Sequence, residues 1–286
     1  MTVLRIKHET IYSFESGVSL NPHRLLLRPR EGRELRLLSH LITIAPANEV
    51  TWAQDVFGNA VAMVNFTAMT DKLVIESLSE VELSSSAWPV FPVAASAISY
   101  PFRYSDEEWT DLGALAAPQY RNGRDAVRNW AQSFVLGSTT DTLSLLKDLN
   151  QGVTQWIRYE ARDAEGTHSP DQTLQLGIGT CRDMATLFVE AARELGFGSR
   201  IVSGYLYDPD KSHVGSADSG STHAWAEIYV PGAGWITFDP TNRSVGGHNL
   251  IPVAVARDIR QVMPMSGSYL GSTFSKMTVE VTVSAE

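Results

Sequence analysis

Residues 177–196 read Gly-Ile-Gly-Thr-Cys-Arg-Asp-Met-Ala-Thr-Leu-Phe-Val-Glu-Ala-Ala-Arg-Glu-Leu-Gly, and they decide how the second half of the chain folds. From Met184 to Leu195, apolar residues recur at intervals of three and four positions, which is the spacing of one buried helix face. Gly196 is the expected end of that helix. The stretch therefore predicts a buried helix with Cys181 in its first turn, directly after a glycine-rich turn.

Cys181 is the only cysteine of the chain. A single cysteine excludes an internal disulfide and a zinc site that needs several cysteines. At the start of a helix, the unpaired backbone N–H groups and the positive end of the helix dipole favour a thiolate. Position alone leaves two interpretations open, a reactive nucleophile and a buried structural cysteine, which is the usual role of a lone thiol.

A thiol nucleophile also needs a base, and residues 221–242 supply a candidate. Alternation predicts a hairpin whose loop, residues 231–233, is followed by a second strand that ends at Asp239. This loop length places Asp239 opposite Trp225, so that Asp239 and His223 are diagonal neighbours on one face. A five-residue loop would make them directly opposite. Cys181, His223 and Asp239 together have the residue types of a nucleophile, its base and the acceptor that orients the base.

The remainder of the chain divides into a β-rich first half and a mixed second half. Short apolar runs separated by Gly and Pro fill residues 1–100 and predict a β-sandwich-like domain. Helical patterns at 122–135 and 140–158 and strands after residue 200 predict that residues 101–286 form a core with a C-terminal β tail. We place the domain boundary at the proline-rich stretch 88–101. The fold class expected is α+β.

Charge and hydropathy exclude several classes of protein. The net charge of −9 argues against nucleic-acid binding, which requires excess cations. The one basic run, from Arg24 to Arg36, is interpreted as a solvated face paired with Glu31 and Glu34. The chain has no apolar stretch of membrane-spanning length, no signal sequence and no metal-binding histidine pair, so we expect a cytoplasmic protein without a membrane partner, metal or cofactor.

Four ordered motifs resemble the transglutaminase-like superfamily, which shares a papain-like core. They are Gly-Ile-Gly-Thr-Cys-Arg-Asp-Met-Ala (177–185), Arg-Ile-Val-Ser-Gly-Tyr-Leu (200–206), Thr-His-Ala-Trp-Ala-Glu (222–227) and Gly-Trp-Ile-Thr-Phe-Asp-Pro-Thr-Asn (234–242). The segments Arg24-Leu-Leu-Leu-Arg-Pro29 and Asp55-Val-Phe-Gly-Asn59 resemble the N-terminal region of the bacterial branch. The resemblance implies a papain-like core in which a cysteine-bearing helix packs on an antiparallel sheet.

The resemblance also implies roles for the site residues. Cys181 would be the nucleophile, His223 the general base and acid, and Asp239 the residue that orients the histidine. The backbone N–H of Cys181 would be one oxyanion donor, and Gln175 is a candidate side-chain donor six residues upstream. Trp225 and Tyr159 are alternatives to Gln175 and candidates for lining the substrate groove.

The implied reaction is acyl transfer from an amide through a thioester. We favour a protease or amidase that acts on a peptide, a protein or a small amide. Two other functions remain open: a transglutaminase that cross-links protein glutamines, and a non-catalytic binding module on the same fold. Proteins of this branch are also expected to accompany ATP-grasp peptide ligases. The sequence does not indicate an oligomeric state.

Overall fold

The computed structural model describes residues 2–162, 166–214 and 220–285. The architecture is mixed α+β and rich in sheet, which confirms the fold class expected from the sequence. No helix within these described ranges is long and apolar enough to cross a membrane.

The chain up to residue 83 forms six strands in two sheets. They are β1 (Thr2–Leu20), β2 (His23–Leu25), β3 (Leu35–Ala45), β4 (Asn48–Gln54), β5 (Ala60–Phe66) and β6 (Thr70–Leu83). In one sheet β6 lies between β1 and β3, and in the other β5 lies between β2 and β4. Apolar residues of both sheets, among them Phe14, Leu25, Val64 and Ile75, form one buried cluster between them. The sandwich-like packing of this region is thus as expected.

Strand β1 is longer than its sequence suggests. The sequence shows strand composition in two separate runs, one ending at Ile6 and one beginning at Thr10, with three polar residues between them. In the structure the strand continues through His8, which is 2% exposed. The His8 ring accepts or donates hydrogen bonds to Thr10 Oγ1 at 3.1 Å and to the Tyr205 hydroxyl at 3.0 Å. These partners satisfy the buried ring, so the strand is not interrupted.

The central part of the chain contains the helices and the main sheet. The helices are α1 (Asp106–Leu112), α2 (Arg124–Gln132), α3 (Thr142–Trp156), α4 (Pro170–Leu176) and α5 (Cys181–Glu194). The short strands are β7 (Ser99–Tyr100), β8 (Thr140–Asp141), β9 (Arg158–Tyr159) and β10 (Ile178–Gly179). The main sheet is built from β11 (Ser199–Tyr207), β12 (Gly220–Val230), β13 (Gly234–Asp239), β14 (Ser244–Val245) and β15 (Leu250–Ala256), in the order β14-β13-β12-β11-β15.

Helix α5 packs on this antiparallel sheet through the face that its periodicity predicts. Met184, Leu187 and Phe188 of α5 are fully buried. They belong to one apolar cluster with Ala226 of β12 and Phe238 of β13, and the ring centroids of Phe188 and Phe238 are 5.4 Å apart. The cysteine-bearing helix on an antiparallel sheet is therefore confirmed, and the packing fixes where the first turn of α5 lies.

The C-terminal strands return to the sheets of the first half. They are β16 (Met265–Ser266), β17 (Tyr269–Leu270) and β18 (Phe274–Ala285). Strand β18 pairs antiparallel with β1, from Leu4 opposite Ala285 to Phe14 opposite Phe274. The apolar cluster around α5 also includes Leu4 and other residues of the first half. The division into two domains at residue 100 stays a prediction. Strand β18 follows this boundary in the chain but pairs with β1, which precedes it.

The basic run between Arg24 and Arg36 has different partners from those expected. Arg24 pairs with Asp55 at 3.1 Å, and Arg30 donates to the side chain of Asn59 at 2.6 Å. Both partners lie in the turn between β4 and β5, which the folded chain brings next to this segment. Glu31 instead accepts a hydrogen bond from the backbone N–H of Leu37.

Candidate active site

The start of α5 is held by a network of hydrogen bonds around Asp183. The Asp183 carboxylate, in the first turn, accepts from the N–H and the hydroxyl of Thr180 at 2.8 and 3.0 Å. Arg162 donates to both carboxylate oxygens at 2.9 and 3.0 Å, and the N–H of His168 adds a bond of 2.7 Å. Burial raises the pKa of Asp183, but these donors outweigh it and hold the pKa below its usual value. The position of Cys181 at the helix start is therefore strongly constrained.

The register of the β12–β13 hairpin is the one that a three-residue loop requires. Val230 pairs with Gly234 and Ala226 with Phe238, which places Asp239 opposite Trp225. The Nε2 atom of His223 lies 2.9 Å from Oδ2 of Asp239, as two side chains on the same face of the hairpin can. Both side chains are almost fully buried.

Three further donors hold the Asp239 carboxylate. The backbone N–H groups of Thr241 and Asn242 donate to Oδ1 at 3.0 and 3.3 Å, and the Asn242 side-chain amide donates to Oδ2 at 2.8 Å. The side-chain oxygen of Asn242 accepts from the N–H of Val214 at 2.9 Å. Sequence reasoning did not assign this positioning role to Asn242, although the residue lies in the quoted Asp-Pro-Thr-Asn motif. The signal was available, because Asp before Pro commonly starts a turn that folds the following residues back.

The second ring nitrogen of His223 is left for the thiol. Nδ1 is buried and has no hydrogen bond of ordinary geometry to any described residue. The ring nevertheless interacts with the Cys181 thiol, and each group shifts the pKa of the other. Contacts between catalytic groups are commonly long or poorly aligned before substrate binds, so this geometry suits a nucleophile and its base.

The site electrostatics favour an ion pair between thiol and imidazole. Burial raises the pKa of the Cys181 thiol, but the His223 ring, the N–H of Ala224 and the charge of Arg182 together bring it below the ordinary value. Burial lowers the pKa of His223, and the charge and hydrogen bond of Asp239 more than reverse this, raising the pKa to about 10. A thiol with a lowered pKa beside an imidazole with a raised pKa loses its proton to the ring readily.

Cys181 and His223 line a cleft of about 750 Å³. One wall belongs to the central part of the chain and includes the residues around the thiol. The opposite wall comes from β1, β18, β16 and the segment before β16, and its large apolar side chains are Tyr12, Met263, Met265, Phe274, Met277 and Val279. The alternation of apolar residues along β18 indicates a strand, but it does not indicate that this strand faces the thiol.

The three remaining predicted site residues have different positions. Tyr159 lines the cleft, and burial, followed by the nearby Cys181 charge, raises its pKa. Gln175 is instead exposed and is absent from the described residues that line the cleft. The reason is helical geometry: Thr173 faces the core of the protein, and two positions further along α4 the side chain points to the opposite face.

Trp225 lies beside His223 and does not line this cleft. Its ring stacks on the His223 ring at a centroid distance of 6.1 Å and is 1% exposed. Space for the ring exists because residue 204 is a glycine: a Cβ there would lie 2.8 Å from the Trp225 ring and 2.0 Å from the backbone oxygen of Ile251. Trp225 therefore supports the ring of His223 and does not form a wall of the groove.

Comparisons with known proteins agree with this geometry. Residues 128–240 match the model of the transglutaminase-like superfamily, and residues 4–82 match the bacterial transglutaminase-like N-terminal region. An uncharacterised protein of Mycobacterium tuberculosis is 28% identical over 295 residues, covering 98% of this chain and 91% of its own. One of Mycobacterium leprae is 25% identical and covers 98% of each chain.

The fold also matches a solved structure along nearly its whole length. A candidate cysteine protease from Cytophaga hutchinsonii superposes with a TM-score of 0.73, at 17% identity, over 99% of this chain and 90% of that chain. This similarity shows a shared fold, including the arrangement of the N-terminal sheets and the core. The family matches, independently of the solved structure, assign residues 128–240 to the transglutaminase-like superfamily and residues 4–82 to the bacterial transglutaminase-like N-terminal region.

Proposed function

We propose that the protein is a thiol-dependent amide hydrolase that acts as a protease or amidase. The observation that carries the proposal is the buried hydrogen bond of 2.9 Å between His223 and Asp239, next to the one thiol of the chain in an open cleft. Burying an ion pair costs desolvation free energy, and buried groups with strongly shifted pKa values are concentrated at catalytic sites. We infer that the function of this pair is to activate the Cys181 thiol.

The proposed reaction has two steps. The Cys181 thiolate attacks the amide carbonyl, and the protonated His223 ring gives its proton to the departing amine, which leaves a thioester on Cys181. Water then attacks the thioester carbonyl while His223 takes a proton from it, and the acid product and the free thiol are released. Asp239 keeps Nδ1 of the ring directed to the thiol and stabilises the positive charge on the ring.

We further propose two donors for the oxyanion that forms in each step. The backbone N–H of Cys181 lies at the start of α5, where it has no partner within the helix. The Tyr159 hydroxyl is the second, because Tyr159 lines the same cleft and is close enough for the Cys181 charge to shift its pKa. The backbone of Tyr159 is fixed by its parallel pairing with Gly179, two residues before the thiol.

Alkylation of the thiol tests this proposal without knowledge of the substrate. Because Cys181 is the only cysteine, iodoacetamide reports on it alone. At pH 6 the native protein should react at least ten times faster than the protein unfolded in urea, in which the thiol has its ordinary pKa. His223→Ala should remove this difference, and His248→Ala, which changes an exposed histidine, should preserve it.

Turnover is measured in parallel on a library of quenched-fluorescence peptides. Cys181→Ser should abolish cleavage with an unchanged thermal melt. Adding a fluorescent primary amine shows whether the thioester is also captured by an amine. A native thiol that reacts no faster than the unfolded one would contradict the proposed chemistry.

A further inference from the structure

The cleft differs in charge from the rest of the molecule. The chain has a net charge of −9, yet no Asp or Glu occurs among the described residues that line the cleft. Two arginines, Arg162 and Arg182, do line it. Among the described lining residues the charged side chains are therefore cationic, and a cleft lined by one sign of charge attracts ligands of the opposite sign.

The two arginines are not equivalent. Arg162 donates to both oxygens of the buried Asp183 carboxylate, so its charge is compensated and its donors are used within the protein. Arg182, the residue next to the thiol, makes one hydrogen bond of 3.5 Å to the backbone oxygen of Arg162. Within the described ranges no carboxylate lies at ion-pair distance from Arg182. Most of its five N–H donors are therefore available to a ligand.

Arg182 is also close to the reacting atoms. Its positive charge contributes to the lowered pKa of the Cys181 thiol and partly opposes the rise that burial and the Cys181 charge cause in the pKa of Tyr159, so the guanidinium interacts with both groups of the proposed reaction centre. An anionic group held by this guanidinium would lie near the scissile carbonyl. Guanidinium groups bind carboxylates through two parallel hydrogen bonds, which fixes orientation as well as affinity.

The opposite wall of the cleft is apolar and exposed. Phe274, Met277 and Val279 of β18 are 43%, 40% and 47% exposed, although each is a large apolar side chain. Ligand sites typically combine such an apolar surface with a few well-placed polar groups. The cleft thus offers a cation at the thiol and an apolar surface opposite to it.

We propose that Arg182 determines specificity for an anionic amide substrate, binding a carboxylate next to the scissile amide while an apolar side chain of the substrate packs on Phe274, Met277 and Val279. This inference rests on the proposed thiol chemistry of Cys181. The substrate class is a peptide with an acidic group beside the cleaved bond and an apolar residue nearby. The carboxylate belongs either to an acidic side chain or to the end of a peptide, and the test separates these two sources.

Paired alkylating reagents measure the contribution of Arg182 directly. Iodoacetate and iodoacetamide react with the same thiol and differ mainly in charge, so the ratio of their rate constants reports the potential at Sγ. Arg182→Met should lower this ratio about tenfold relative to the wild type, the size of one charge-assisted hydrogen bond. Arg182→Lys should retain most of the ratio, and Arg158→Met, which removes an exposed arginine outside the cleft, should leave it unchanged.

A peptide panel then tests specificity. Each peptide has Glu or Gln on one side of the cleaved bond and Leu or Ser at the next position, and further peptides end in a free or an amidated carboxyl group. The wild type should favour Glu or the free terminus about tenfold in kcat/KM, and Arg182→Met should lose that preference while keeping the preference for Leu. Met277→Gln should lose the preference for Leu alone.

The outcomes separate the two proposals. If the wild-type thiol is slow with both reagents, the thiol chemistry itself fails. If the thiol is fast but the rate ratio is the same in wild type and Arg182→Met, or if the peptide panel shows no preference for a carboxylate, the assignment of Arg182 is overturned and the thiol chemistry stands.

Discussion

Replacing Asp239 by Asn tests whether the carboxylate holds the site in its charged form. The change keeps the shape of the side chain but removes the charge that stabilises the His223 imidazolium. In the wild type the Asn242 amide donates to Asp239 Oδ2 at 2.8 Å, the same oxygen that contacts His223. In the variant this position belongs to the new side-chain amide. A buried hydrogen bond to a charged group contributes about 1.5–3 kcal/mol. Since about 1.4 kcal/mol corresponds to one pKa unit, the pKa of His223 should fall by about one to two units.

The expected effect appears in the alkylation rate of Cys181 at pH 6. A fall of one to two units in the imidazole pKa lowers the equilibrium constant between the thiolate–imidazolium pair and the neutral pair by about 10- to 100-fold, and the rate should fall by up to this factor. Above pH 9.5, where the thiol ionises without help, the two proteins should react at similar rates. Asp125→Asn, which changes an exposed carboxylate, is the control. An unchanged rate at pH 6 in a folded Asp239→Asn protein would refute the reasoning.

The same structure supports three further expected outcomes. The alkylation rate should rise at a lower pH than for an ordinary thiol, because the pKa of Cys181 is lowered. Cleavage should fall again near pH 10, where His223 loses its proton. A pH profile with a single ionisation near pH 9 would contradict both expectations. Asp183→Ala leaves buried donors unpaired and should lower the free energy of unfolding by about 3–5 kcal/mol, measured with urea. This carboxylate, whose pKa is lowered, stabilises the native state at neutral pH and loses that effect as pH falls through the lowered pKa. Deleting residues 1–100 should give insoluble protein, because apolar surface of β18 and of the core becomes exposed; a soluble, active fragment would show two independent domains.

The parts of the fold that the sequence predicted are those with local signals. Helix α5 was predictable because its period and its terminating Gly196 lie within twenty residues. The contact between His223 and Asp239 was predictable because a short loop fixes the register of a hairpin, and register fixes which side chains share a face. Both inferences depend only on residues that lie within one helix or on either side of one turn.

The parts that were not predicted depend on distant neighbours. Nothing near Trp225 indicates that Gly204, on the adjacent strand, provides the space for its ring. The partners of Arg24 and Arg30 come from the turn at residues 55–59, which only the folded sheets bring close. The position of Gln175 depends on how α4 is rotated about its axis. The packing of the buried face of α4 sets this rotation, and the sequence spacing between Gln175 and Cys181 does not indicate it.

The pairing of β18 with β1 has a consequence for how the protein matures. Ser13 lies opposite Lys276, so this pairing must close a loop of more than 260 residues. At about 5–20 residues per second, a ribosome makes the second strand roughly 10–50 s after the first. During that interval one edge of β1 has no partner, and an unpaired edge is a site of aggregation. Because β18 also forms the apolar wall of the cleft, we expect refolding protein to recover its helices and core fluorescence before it recovers substrate binding.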